Sequence, residues 1–138
     1  MASETLIVDG WLASTLGGDA TLLAAAPGGV HADVAPEGTA SPWVVFFLVA
    51  AADASAVGAI RIMADLVYEV RVTGRDCGYA GLKTAANRID ALLHRATGTN
   101  ADGKVLGCRR EEVIRFSEQD GDRVYRHLGG QYRIYAQT

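Results

Sequence analysis

Three histidines, two cysteines and a pair of adjacent glutamates are the residues of this chain whose types could carry catalysis or hold a metal. His31, His94 and His127 with Cys77 and Cys108 offer enough donors for zinc. Structural zinc takes its ligands in short pairs, however, and no two of these five have that spacing. Glu111 and Glu112 would suit paired acid–base carboxylates, yet neighbours along a strand point to opposite faces and cannot flank one bond. They read as solvated strand charges. A phosphate-cradling Gly-x-x-x-x-Gly-Lys-Ser/Thr, a Gly-x-Ser-x-Gly and a His-Glu-x-x-His are all absent, and Gly17-Gly18 and Gly28-Gly29 read as helix stops. Arg109, Arg110, Arg115, Arg123, Arg126 and Arg133 form a basic stripe. Glu111, Glu112, Glu118, Asp120 and Asp122 interrupt it, which favours ion pairing within a sheet or between subunits over a nucleic-acid face. No catalytic residue, metal site or cofactor is expected.

What must position these residues follows from composition and pattern. At 138 residues, 49% hydrophobic and 21% charged, the chain suits one domain over 1–138 with one core, far from the composition of disorder. No apolar run reaches the ~18 residues that cross a bilayer, so no membrane role and a cytoplasmic setting with reduced cysteines are expected. Residues 1–60 contain no Lys or Arg and six acids, Glu4, Asp9, Asp19, Asp33, Glu37 and Asp53. With a total of −3, the remainder is net +3. One outcome is head-to-tail self-association; the plainer one is that folding interleaves the halves and the asymmetry vanishes.

The chain is organised around Pro42 to Ala50, whose unbroken apolar run through Trp43, Val44, Val45, Phe46, Phe47, Leu48 and Val49 predicts the central strand of a sheet covered on both faces. Before it, Ser3–Leu16 reads as a helix capped by Ser3, with Val8, Leu12 and Leu16 on one stripe beside Trp11. Asp19 is placed to cap a short helix over Ala20–Ala26, Val30–Val34 reads as a short strand, and Ala35–Ser41 as a loop. After it, the small residues Ala51–Ala59 read as a mobile connection. Arg61–Thr73 alternates as a strand with Leu66, Tyr68, Val70 and Val72 on its dry face.

Tyr79–Ala96 carries apolar residues at helical spacing, with Asp76 as its cap and Gly98 as its stop. Val105–Ser117 and Arg123–Ala136 read as a hairpin turning at Asp120-Gly121-Asp122. Gly129-Gly130 mark a bulge or a close backbone approach. The fold class expected is α+β: a mostly antiparallel sheet of about four to five strands packed against one long helix, with a shorter N-terminal helix.

This order of elements resembles the tail terminator family of long-tailed bacteriophages, also called tail completion or head-tail joining proteins. The segments that carry the likeness are Ser41-Pro42-Trp43-Val44-Val45, the strand-to-helix run Val70–Leu93 with Gly78-Tyr79-Ala80, and Arg126–Ile134. The resemblance implies a virion structural protein, not an enzyme, that assembles as a homohexameric ring on the head-proximal end of the tail tube. It would stop tube polymerisation and offer a docking surface to the head connector, while DNA passes the lumen without sequence-specific binding. The partners implied are other copies of itself, the tail tube protein and the head-completion protein.

Contacts are expected from the loops at 35–41 and 51–60 and from the basic stripe, at Glu37, Asp53, Ser55, Val57, Arg61, Arg109 and Arg126. The rivals are another neck or minor capsid component, and a small-ligand domain or isomerase-like enzyme. The latter needs a polar group such as His31, Asp65 or Tyr68 deep in an apolar cavity.

Overall fold

Alternation decides the middle of the sheet. In the computed structural model, which describes residues 2–138, Leu66, Tyr68, Val70 and Val72 of strand β3 (Ile60–Arg75) all point to one fully buried face. β3 lies inside a six-stranded sheet together with β1 (Val30–Ala32), β2 (Trp43–Ala56), β4 (Gly98–Thr99), β5 (Lys104–Asp120) and β6 (Arg123–Gln137), in the order β1-β2-β3-β6-β5-β4. Every pairing is antiparallel except β1 with β2. The sheet curls into a half-barrel.

Three short helices cover one face. In α1 (Ala2–Gly17), Ile7, Val8, Leu12 and Leu16 are fully buried, and α1 packs across β1, β6 and β5. The Tyr68 hydroxyl donates to the Thr5 carbonyl at 3.0 Å and to Asp9 Oδ1 at 2.7 Å, and Asn100 Nδ2 donates to the Ile7 carbonyl at 3.1 Å. These bonds fix the helix to β3 and to the turn before β5. Asp19 caps α2 (Ala20–Ala25) by accepting the Leu22 N–H at 2.9 Å. In α3 (Lys83–Leu93), preceded by a 3-10 turn at Tyr79–Gly81, the residues Ala85, Ile89 and Leu93 are buried.

Several expectations are corrected. An α+β fold of four to five strands against one long helix gives way to a mostly-sheet protein, 49% strand, with six strands and three short helices. The expected long helix over 79–96 is a 3-10 turn followed by 83–93, and α1 is the longer helix. Ser3 lies within α1 instead of capping it. Asp76 caps no helix: its carboxylate accepts from Arg123 Nη1 at 2.7 Å and from the Val124 N–H at 2.9 Å. Gly98 stands in β4, and Arg95 takes the left-handed conformation (φ 70°) that follows α3.

The run Pro42–Ala50 is not central either. Val44, Val45 and Phe46 are buried, but Leu48 and Val49 are 39% and 47% exposed, because β1 ends opposite Phe46. Residues 51–59 form no loose loop. β2 continues to Ala56, and only Val57-Gly58-Ala59 turn the chain into β3. A stretch of alanines gives no periodic signal, and the strand state here comes from pairing with β3.

The closing hairpin turns at Gly121-Asp122, where Gly121 has φ 60°, a conformation free of strain only for residues such as glycine. Gly129 allows a close approach: a Cβ there would lie 2.2 Å from the Val70 carbonyl oxygen and 2.5 Å from Arg71 Cα.

Candidate assembly surface

The residues whose types could carry catalysis or hold a metal are dispersed or satisfied by the fold. Among the described residues no group of three or more His, Cys, Asp or Glu is placed to hold a metal, and Cys77 and Cys108 are free thiols. A ring nitrogen of His31 lies 2.8 Å from the Gly28 carbonyl, and His94 Nδ1 accepts the Arg110 N–H at 3.1 Å. Of the groups a buried pocket would need, Tyr68 is bound to α1, and burial followed by the Asp9 carboxylate pushes its hydroxyl pKa up. Asp65 pairs with Arg133 at 2.5 Å.

The basic stripe is largely neutralised by acids of the sheet, of α3 and of the turn after β3. Arg133 also meets Glu111 at 2.5 Å, Arg109 meets Glu111 at 3.4 Å, Arg123 meets Asp76 at 2.7 Å and Arg110 meets Asp90 at 3.7 Å. Arg115 and Arg126 lie over the Tyr79 ring instead, and Arg126 donates to the Cys77 carbonyl at 2.9 Å.

On the helix-free face, curling brings β2, β3, β6 and β5 into a polar and aromatic layer that sequence reading missed. Arg71 pairs with Glu69 and sits between the Phe47 and Phe116 rings, 5.2 Å from each. Phe116 stacks on His127 at 4.3 Å. His127 Nδ1 is 2.8 Å from Thr73 Oγ1, and its Nε2 is 2.6 Å from Glu118 Oε1, too bent for a good hydrogen bond.

Burial, then the Arg71 cation, lowers the His127 pKa, while Glu118 and Glu69 oppose them. The order Glu–His–Thr mimics a nucleophile relay. Thr73 is only 3% exposed, and its hydroxyl is part of the packing of this face. All three border a surface depression of about 350 Å³, lined by Thr73, Glu118 and His127 together with Trp43, Arg71 and Tyr125 among others. Only register across three strands brings Thr73, His127 and Phe116 together, which short-range pattern does not reveal.

What the surface does offer is bare strand edge and exposed apolar side chain. The β2–β3 hairpin forms an arm on which Leu48, Val49, Val57, Ile60 and Ile62 are exposed, Val57 almost completely (98%). Beyond Phe46 the outer edge of β2 has no strand partner among the described residues. On β5 the outer edge is likewise open from Glu112 to Asp120, with Val113 and Phe116 exposed. The β2 edge, apolar apart from Asp53 and Ser55 and without proline or lysine, is of the kind that invites pairing with another chain, whereas Glu112, Arg115, Glu118 and Asp120 place charges on the β5 edge.

Of the residues expected at contacts, Asp53, Ser55, Val57 and Arg61 share this arm, and Arg61 faces Asp53 at 3.7 Å. Glu37 lies apart on the exposed loop before β2, Arg109 in the middle of β5, and Arg126 under the 3-10 turn. The exposed residues of β5 were missed. Their alternation with charges reads as an ordinary solvated strand, and only the shortness of β4 shows that the edge is open.

Comparison with known proteins gives these features a context. A chain of the virion of a native gene transfer agent particle has the same fold, with a TM-score of 0.68 over 98% of this chain and 99% of that chain at 21% identity. A second solved chain is more distant, with a TM-score of 0.48 and 12% identity over 76% of this chain and 77% of that one. No curated protein matches. Residues 11–135 match the family described as tail completion protein gp17, and since that match spans almost the entire sequence, the chain belongs to this family of structural phage tail proteins.

Proposed function

We propose that the protein closes the head-proximal end of a phage-type tail tube as a hexameric ring, stops tube growth there and presents the surface to which the head connector docks. The observation that carries this reading is the β2–β3 arm, a ribbon with a bare β2 edge and exposed apolar residues. Such a surface acts by shape and by edges, and contacts of the head-to-tail kind close into rings when their rotation permits.

Charge is divided in the same sense. Residues 30–56, on the β1–β2 side of the sheet, hold Asp33, Glu37 and Asp53 and no cation. Residues 104–137, on the β5–β6 side, hold seven Lys and Arg against five Asp and Glu. Elsewhere the fold interleaves the halves, since Asp19 pairs with Arg88 and Asp53 with Arg61.

The arm is tested by deleting residues 53–58. The shortened protein should remain folded yet lose ring formation and tube capping when imaged by electron microscopy. If it assembles and caps like the intact chain, the arm makes no assembly contact.

A further inference from the structure

The two open edges lie at diagonally opposite corners of the sheet. Following the register across the strands, Leu48 is level with Tyr68, Tyr132 and Arg110, whereas Trp43 is level with Thr73, His127 and Phe116. The bare part of β2, from Leu48 to Ala56, therefore occupies one end of the sheet, and the bare part of β5, from Glu112 to Asp120, occupies the other.

The remaining edge positions are closed. β1 covers β2 as far as Phe46. β4 covers the start of β5, where the Arg95 N–H also donates to the Cys108 carbonyl at 2.7 Å and His94 accepts the Arg110 N–H. Two copies thus cannot pair flush, and a staggered contact is the one the fold leaves open.

Strand direction agrees with that contact. Three successive antiparallel pairings make β5 run opposite to β2. A neighbour placed by rotation about a ring axis to which the strands are tilted brings its β5 against β2 antiparallel, the more stable ladder, with the stagger the tilt supplies. Each bare stretch is about 30 Å long at ~3.3 Å per residue. The Val44 N–H and Phe46 carbonyl face β1, and stepping along the register from them turns the N–H and C=O of Ala51 and Asp53 outward. The same stepping from Cys108 and Arg110 turns Val113, Arg115 and Ser117 outward on β5. Over these stretches β2 carries one charge, Asp53, which faces Arg61 at 3.7 Å, and β5 carries Glu112, Arg115, Glu118 and Asp120, so charge does not select the contact and the open edges themselves do.

Resting on the ring reading above, we infer that copies of this chain join head to tail by pairing the β2 edge 48–56 of one with the β5 edge 112–120 of the next, in a staggered antiparallel ladder. A ring closed this way carries its strands tilted to its axis, as closure with stagger requires.

Ala51→Pro and Ser117→Pro each remove one outward N–H without touching a ladder bond inside the chain. Each variant alone should remain monomeric by sedimentation under conditions where the unaltered chain forms rings, free or on tail tubes. An equimolar mixture should give a one-to-one dimer and nothing larger, since one good edge of each kind survives. Ala51→Lys and Ser117→Lys, which block an edge by charge, should reproduce this if a proline variant fails to fold. Rings formed by any folded single-edge variant, or a dimer of Ser117→Pro alone, overturn the inference and leave the ring reading standing. An unaltered chain that stays monomeric even on tail tubes overturns both.

Discussion

Asp19 serves two elements with one carboxylate. It caps α2 and accepts from Arg88 of α3 through both oxygens, each bond 2.8 Å, so it fastens the two helices to each other. The Arg88 hydrogen bond, helped by the Leu22 N–H, lowers its pKa from 3.8 to about 2. A carboxylate depressed in the folded state contributes stability above its unfolded pKa and loses it as pH falls through the folded one. Compared with Asp19→Asn in thermal melts from pH 7 to pH 2, the native chain should keep its full advantage down to about pH 4. The advantage should vanish near pH 2. A constant difference across that range would show that the ion pair contributes nothing.

Gly129→Ala should be the severe glycine substitution, because its Cβ would meet backbone atoms that cannot yield; a loss of at least about 1–3 kcal/mol is expected in denaturant unfolding. Gly121→Ala at the exposed turn should cost only about 1 kcal/mol. At this scale the cap at Asp19 and the tight spot at Gly129-Gly130 were legible in the sequence, since each announces a local conformation. Arg88 as a partner of Asp19 was not, because it lies far away along the chain.

Among the elements, those with a period were readable and those without one were not. The stripe of α1 and the alternation of β3 are both buried as their spacing demands. Leu12→Ala, which empties a fully buried site in the layer over the sheet, should cost about 2–5 kcal/mol in chemical denaturation. Leu6→Ala on the exposed side of the same helix should change stability by less than about 0.5 kcal/mol. Equal losses at the two positions would contradict the orientation of α1. The β2 arm escaped because alanine favours neither state by pattern, and its partner strand decides. The run around Phe46 misled for a related reason: large apolar residues mark burial, and here Leu48 and Val49 are left for a surface.

At the scale of the whole molecule, covering and exposure fall to different regions. Helices cover one face of the sheet, while ion pairs and stacked rings fill the curled face. Two strand edges and the arm are left bare. The sequence likeness to tail completion proteins was legible from the order of elements and a few segments, and the match over residues 11–135 shows it. The curl and the open corners were beyond reach, because they depend on which strands are short and where neighbours stop.

The central claim, that the protein ends a tail tube as a ring, is tested most directly by electron microscopy of tail tubes assembled with and without it. With the protein present, tubes should stop at uniform length and carry a six-fold ring at one end, and without it they should overrun. Tubes of unchanged length with bare ends in both preparations would contradict the account.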